Sequence, residues 1–107
     1  MSAGIAIVYA LYGSREAAEA AARDAVDRRL AACANILGPC RSIYIWEGAR
    51  QEEDEVPVLF KTDAARREAL MAHLKQIHDY DVPAVLSWDA GTTPDYARWV
   101  GESAASD

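Results

Sequence analysis

The sequence predicts an α+β domain: one antiparallel sheet with crossover helices on one face, a long β-hairpin and a C-terminal helix. Three observations predict it. Strand-length apolar segments alternate with segments of helical period, in the order strand, helix, strand, strand, helix, strand, helix. Two neighbouring strand segments are separated only by a polar turn, so they pair as a hairpin. The chain has 107 residues, 51% of them hydrophobic, which suits one domain with one core.

Residues 5–12 are continuously apolar, the pattern of a central strand covered on both faces. Gly13 breaks the run, and Ser14 caps a helix over residues 15–32. The apolar stripe of that helix is Ala18, Ala22, Ala25, Val26 and Leu30, small enough to lie close to a sheet. Its opposite side spaces Glu19–Arg23, Arg23–Asp27 and Asp24–Arg28 four apart, pairs worth about 0.2–0.5 kcal/mol each. Residues 33–47 form a long strand bent at Gly38-Pro39, because proline donates nothing to a ladder and glycine packs nothing. Residues 48–54 are polar and form the hairpin turn. On the return strand Val56, Val58 and Phe60 alternate with Pro57, Leu59 and Lys61, and Pro57 requires one unpaired side.

Asp63 caps a second helix reaching His78, with Leu70, Met71, Leu74 and Ile77 as its apolar face. Asp81-Val-Pro83 leads into a last strand over residues 84–88. Residues 89–93 are a loop, Thr93 or Pro94 opens a short helix through Tyr96, Trp99 and Val100, and residues 103–107 are a frayed tail. Two right-handed crossovers in this order make the split βαβ, ferredoxin-like arrangement. The hairpin strands exceed the usual length of about five or six residues. Their overhang exposes strand edge and apolar side chains, for which a neighbouring subunit is the simplest cover.

The formal charge of -6 disfavours nucleic acid, which needs clustered Lys and Arg. The apolar run 5–11 is too short to span a bilayer and no basic segment precedes it, so neither a membrane helix nor a signal peptide is expected. Cys33 and Cys40, seven apart, lack metal or redox spacing, which points to a reduced, cytoplasmic protein. No G-x-S-x-G, H-E-x-x-H or phosphate-cradling glycine loop occurs, and no enzyme is expected.

His78, near the end of the second helix, reads either as a metal ligand or proton carrier, or as a histidine facing the helix dipole and its last carbonyls. His73 points to the solvated flank of that helix. The run Glu52-Glu-Asp-Glu55 could gather cations, but it lacks the glycine and spaced oxygens of a calcium loop and reads rather as a solvated hairpin tip. Cys33 reads as a small buried hydrophobe or a ligand. Lys61 reaches the sheet rim, an anion, or a carboxylate such as Glu47. Trp46, Trp88 and Trp99 line a ligand cleft or anchor an interface.

Several stretches together resemble the CutA family of divalent-cation-tolerance proteins. They are Leu30-Ala-Ala-Cys-Ala-Asn-Ile36, Ser42-Ile-Tyr-Ile-Trp-Glu-Gly48, Lys61-Thr62, His78-Asp-Tyr-Asp-Val-Pro83 and Pro94-Asp-Tyr-Ala-Arg-Trp99. The resemblance implies a ferredoxin-like homotrimer, similar in plan to the PII signalling proteins, with a metal ion or small ligand held in clefts between subunits. Copper binding is attributed to some members. The metal site proposed for bacterial members uses a cysteine in the first strand and a His-His pair; here those positions are Ala10 and Ile77-His78, and Ala84 stands where the family often has a glutamate. The implied metal site therefore reduces to His78, with Asp79 and Asp81 as further donors, and a divalent cation such as copper is expected to bind weakly. The candidate ligand cleft comprises Cys33, Trp46, Glu47, Lys61, Tyr80 and Trp99. The alternative is a PII-like signalling or scaffold trimer without a dedicated metal site.

Overall fold

The run of alternating large and small apolar residues at the start of the chain becomes β1 (Ala3–Tyr12), and everything else is arranged around its two faces. A computed structural model describes residues 3–105. In order follow α1 (Arg15–Asp27), β2 (Cys33–Ile36), β3 (Cys40–Trp46), β4 (Ala49–Thr62), a 3-10 turn (Ala64–Arg66), α2 (Arg67–Ile77), β5 (Val85–Thr92) and α3 (Pro94–Ser103). The sheet order is β2-β4-β1-β5, every pair antiparallel, and β3 pairs with the outer part of β4. This is the ferredoxin-like arrangement, with β1 and β4 at the centre.

Successive strand residues point to opposite faces. Val8, Ala10 and Tyr12 of β1 join Val56, Val58 and Phe60 of β4 against Ala18, Ala21 and Ala25 of α1 and Leu70 and Leu74 of α2. Ile5 and Ile7 point the other way and pack with Ala32, Val100 and Ala104. Thus α1 and α2 share one face, while α3 covers one end of the other. Beyond α3 that second face is open, and Leu86 and Trp88 stand exposed on it.

Helix α1 ends at Asp27, five residues before the expected end at residue 32. Arg29 adopts φ 59, and the Arg29 and Leu30 amides donate to Val26 and Ala25 in the reversed pattern of a Schellman stop. A left-handed arginine costs about 1–2 kcal/mol. Its guanidinium offsets this by donating to the Glu102 and Ser103 carbonyls at the end of α3. Asp63 caps the 3-10 turn through Ala65 rather than α2 itself. On the surface of α1, Glu19 pairs with both Arg15 and Arg23, and Asp24 with Arg28.

The chain bends at Gly38-Pro39, where Leu37 N–H donates to Pro57 C=O at 2.9 Å. The nitrogen of Pro57 faces the same side as its carbonyl, toward the gap between β2 and β3, so its missing donor leaves no ladder bond unmade. The hairpin turn is much tighter than expected. Glu47 (φ 51) and Gly48 (φ 81) alone make it, the two-residue type I′ geometry whose twist matches the strands. Residues 49–54 are strand, not turn, and Glu52 to Glu55 lie along β4 rather than at a tip. Their charge is spread over cross-strand and along-strand partners: Arg41 to Asp54 at 3.1 Å, Arg50 to Glu52 at 3.2 Å, and Tyr44 to Glu53.

Two further expectations change at the far end. Residues 89–92 continue β5 because residues 3–6 of β1 give them a ladder, Ala3 opposite Thr92 and Gly4 opposite Gly91. Ser103 belongs to α3 and Ala104 is fully buried against Ile5 and Ile7. Of the expected tail, Ser106 and Asp107 lie outside the described residues.

Candidate functional site

Alternation along the hairpin puts Ser42, Tyr44 and Trp46 on one side, opposite Glu53, Gln51 and Ala49. The segment after α2 folds back beside them. Between the two lies a cleft of about 630 Å³, lined among others by Leu11, Tyr44, Trp46, Glu53, Glu55, Tyr80, Asp81 and Val82. Of the expected cleft residues, Trp46 and Tyr80 meet here.

His78 anchors that segment. Its side chain has 0% exposure. Tyr80 N–H donates to Nδ1 at 3.1 Å, which makes Nδ1 an acceptor, and Nε2–H donates to Leu11 C=O at 2.7 Å. The hydrogen bonds thus assign a neutral ring with its proton on Nε2. The ring stacks on Tyr12 (4.7 Å, 15°) and tilts against Tyr80 (4.6 Å). A metal needs an open imidazole nitrogen, and neither nitrogen is open, so the ligand reading of His78 does not fit this conformation. Asp79 Oδ1 lies 3.3 Å from Nδ1, and both Asp79 and Asp81 are exposed. Among the described residues no three His, Cys, Asp or Glu side chains converge as a metal cage. Gly13 belongs to this packing, since a Cβ there would sit 3.0 Å from the Tyr80 hydroxyl.

Tyr80 O–H donates to Glu55 at 3.2 Å. Burial, then the Glu55 charge, push the Tyr80 phenol up to about 12. Tyr12 is pushed up to about 12 by burial and by Asp79. Tyr44 is raised chiefly by its bond to Glu53. Glu55 itself is only 6% exposed.

Cys33, Lys61 and Trp99 gather separately, beneath α3. Cys33 lies directly opposite Lys61 in the ladder. Its Sγ is 3.4 Å from the Tyr96 hydroxyl, Lys61 Nζ sits 5.8 Å from the centre of the Tyr96 ring, and Trp99 stacks on Tyr96 at 5.7 Å. Burial, then Cys33, push the Tyr96 phenol up to about 12. Lys61 therefore meets an aromatic face rather than Glu47. Glu47 sits in the hairpin turn, at the opposite end of the 14-residue β4. The six expected cleft residues thus divide into Trp46 with Tyr80, Cys33 with Lys61 and Trp99, and Glu47 alone.

His73 is not solvated. It bonds Asp24 across the α1–α2 contact, and Asp24 is held below its ordinary value by hydrogen bonds from Arg28 first and His73 second. Tyr44 and Tyr96 are site residues absent from the expected set, and Glu53 and Glu55, expected at a solvated hairpin tip, line the cleft instead. For the two glutamates the signal is the alternation of residues 49–55 once Glu47-Gly48 is recognised as the whole turn, and for Tyr44 it is the alternation with Trp46 in β3. Tyr96 carried no signal beyond its place near Trp99.

The family profile described as CutA1 divalent ion tolerance protein matches residues 6–103. The divalent-cation tolerance protein CutA of Pectobacterium atrosepticum is 40% identical over 80% of this chain and 79% of its own length. The protein of the same name from Pyrococcus horikoshii is 38% identical over 90% of this chain and 94% of its own. The crystal structure of divalent ion tolerance protein CutA1 from Ehrlichia chaffeensis superposes with a TM-score of 0.90 at 26% identity, covering 94% of this chain and 95% of that one.

Proposed function

The chain belongs to the CutA1 divalent ion tolerance protein family, and from that premise we propose that it is a homotrimeric, non-enzymatic binding protein of the divalent-cation response, with ligand clefts at or between its subunits. The observation that supports assembly is the uncovered apolar surface of the hairpin. Ile43 and Ile45 are 62% and 66% exposed, and Leu86 and Trp88 add a second uncovered patch on the open sheet face. Large apolar side chains left uncovered together in this way support a protein–protein contact. Sedimentation should report about three times the 11.7 kDa chain mass, and Ile45→Asp should shift it toward one chain. A stable, well-folded wild-type monomer overturns the assembly.

For the metal, Asp79 and Asp81 supply oxygen donors, and His78 joins them only after its bond to Tyr80 opens. Copper(II) accepts such nitrogen and oxygen donors, and so incomplete a set gives micromolar affinity or weaker, about −8 kcal/mol or less favourable. Calorimetry should show that affinity lost in Asp79→Asn/Asp81→Asn, while His78→Ala chiefly lowers stability. Nanomolar copper affinity surviving in the double variant overturns this placement. The engagement of both His78 nitrogens favours a second reading, a PII-like signalling or scaffold trimer without a dedicated metal site. No helix among the described residues is long and apolar enough to cross a membrane. Two free cysteines without redox spacing support a reducing compartment such as the cytoplasm.

A further inference from the structure

We propose that the cleft between the hairpin and the segment 80–84 binds a small organic cation, through an ammonium or quaternary ammonium head. Three aromatic side chains, Tyr44, Trp46 and Tyr80, line it together with three carboxylates, Glu53, Glu55 and Asp81, and none of its lining residues is basic. Glu55 is the decisive one. It is 6% exposed, and its hydrogen-bond partner is the neutral hydroxyl of Tyr80. A carboxylate withdrawn from water without a facing positive charge is costly, and a bound cation supplies that charge. Ring faces around a desolvated ammonium add cation–π attraction.

The same features exclude the other ligand classes. An anion would meet three carboxylates. A bare metal ion would find no three converging donors among the described residues. A neutral apolar ligand would leave Glu55 unbalanced. The inference rests on reading this cleft as a ligand site, but not on the number of subunits, because one chain supplies every lining residue.

The test is titration of the full-length protein with choline and with its neutral isostere 3,3-dimethylbutan-1-ol, read by thermal melting and tryptophan fluorescence, with the assembly mass measured alongside. Choline should bind saturably and at least about tenfold more tightly than the isostere. Glu55→Gln should remove that preference. Trp46→Leu, at an exposed position, should weaken choline several-fold with folding intact. Equal binding of choline and isostere overturns the proposal. So does the absence of any melting response to choline; a response to copper(II) in that case leaves the divalent-cation reading standing and removes this one. A loss of assembly mass in Glu55→Gln with no choline binding in the wild type also overturns it, because a basic side chain of a second copy then fills the cleft. If neither choline nor copper(II) binds and the mass is that of one chain, both this inference and the ligand-cleft reading fail.

Discussion

The two halves of β4 teach opposite lessons about one strand. Residues 56–62 run through the centre of the sheet between β1 and β2, and Val56, Val58, Phe60 and Thr62 are buried. Residues 49–55 leave the sheet, pair only with β3, and form an arm that helps stretch the molecule to 46 Å. In the inner half, side chains are held by helices packed across them. In the outer half nothing among the described residues covers Ile43 or Ile45. A two-stranded ribbon is marginal in water by itself, so the arm depends on contacts that the inner half does not need. The inner half is laddered to β1 on one edge and to β2 on the other and is packed on its faces, whereas the outer half is laddered to β3 alone and leaves Ile43 and Ile45 bare.

The largest test of that contrast is a pair of truncations. Phe60→Ala should lower unfolding free energy by about 3–5 kcal/mol, the range for deleting a buried aromatic, at any protein concentration. Ile45→Ala should produce an effect that grows or shrinks with protein concentration, because a contact between copies is linked to assembly by mass action. Urea titrations at two concentrations check both. A concentration-independent loss at Ile45 as large as that at Phe60 would erase the distinction.

A smaller effect is expected at the hairpin turn. Gly48 has φ 81 with open space around it, so Gly48→Ala strains the backbone without a clash. The expected cost is about 1 kcal/mol. Asparagine accepts positive φ better than glutamate does, so Glu47→Asn should recover part of that loss. Thermal melts of the three proteins read this directly, and an unchanged melting temperature in Gly48→Ala would show that the arm adds nothing to measured stability.

The smallest effect belongs to the helix layer. Asp24 is partly exposed and its ion pairs are near the surface, so Asp24→Asn should cost about 0.5 kcal/mol near neutral pH. Its carboxyl is depressed in the folded state. The stability it contributes is therefore complete above the ordinary value of 3.8 and is lost as the pH falls through the lower folded value. Asp24→Asn should flatten the acid limb of the stability curve below about pH 4, and a limb unchanged in shape would exclude this linkage.

Much of the inner half was legible because burial writes a period into sequence. The apolar run 5–12, the alanine stripe of α1 and the alternation Val56, Val58, Phe60 each dictate an element and a face, and Pro57 correctly required a gap beside it. The arm was harder. Its outer strand is polar, so residues 49–54 resembled a turn, and only the positive φ values at Glu47 and Gly48 reveal that two residues suffice. The stop of α1 was equally hidden, since an arginine rather than a glycine takes the left-handed position.

His78 shows where local sequence stops being informative. Its place at a helix end, beside a tyrosine and two aspartates, is compatible with a ligand, a proton carrier or a cap. In the folded chain the Leu11 carbonyl, from β1, accepts from Nε2–H, the Tyr12 ring stacks on the imidazole face, and the nearby Tyr80 amide donates to Nδ1. Lys61 is the same case: a lone cation in a strand can meet a carboxylate or a ring, and α3 folding over the sheet delivers Tyr96. The order of elements, the central strands and the family were legible because they follow from short-range periodicity and motif spacing. Tertiary structure alone decided which side chains share a cleft and which donors remain open, because those depend on contacts between residues far apart in the chain.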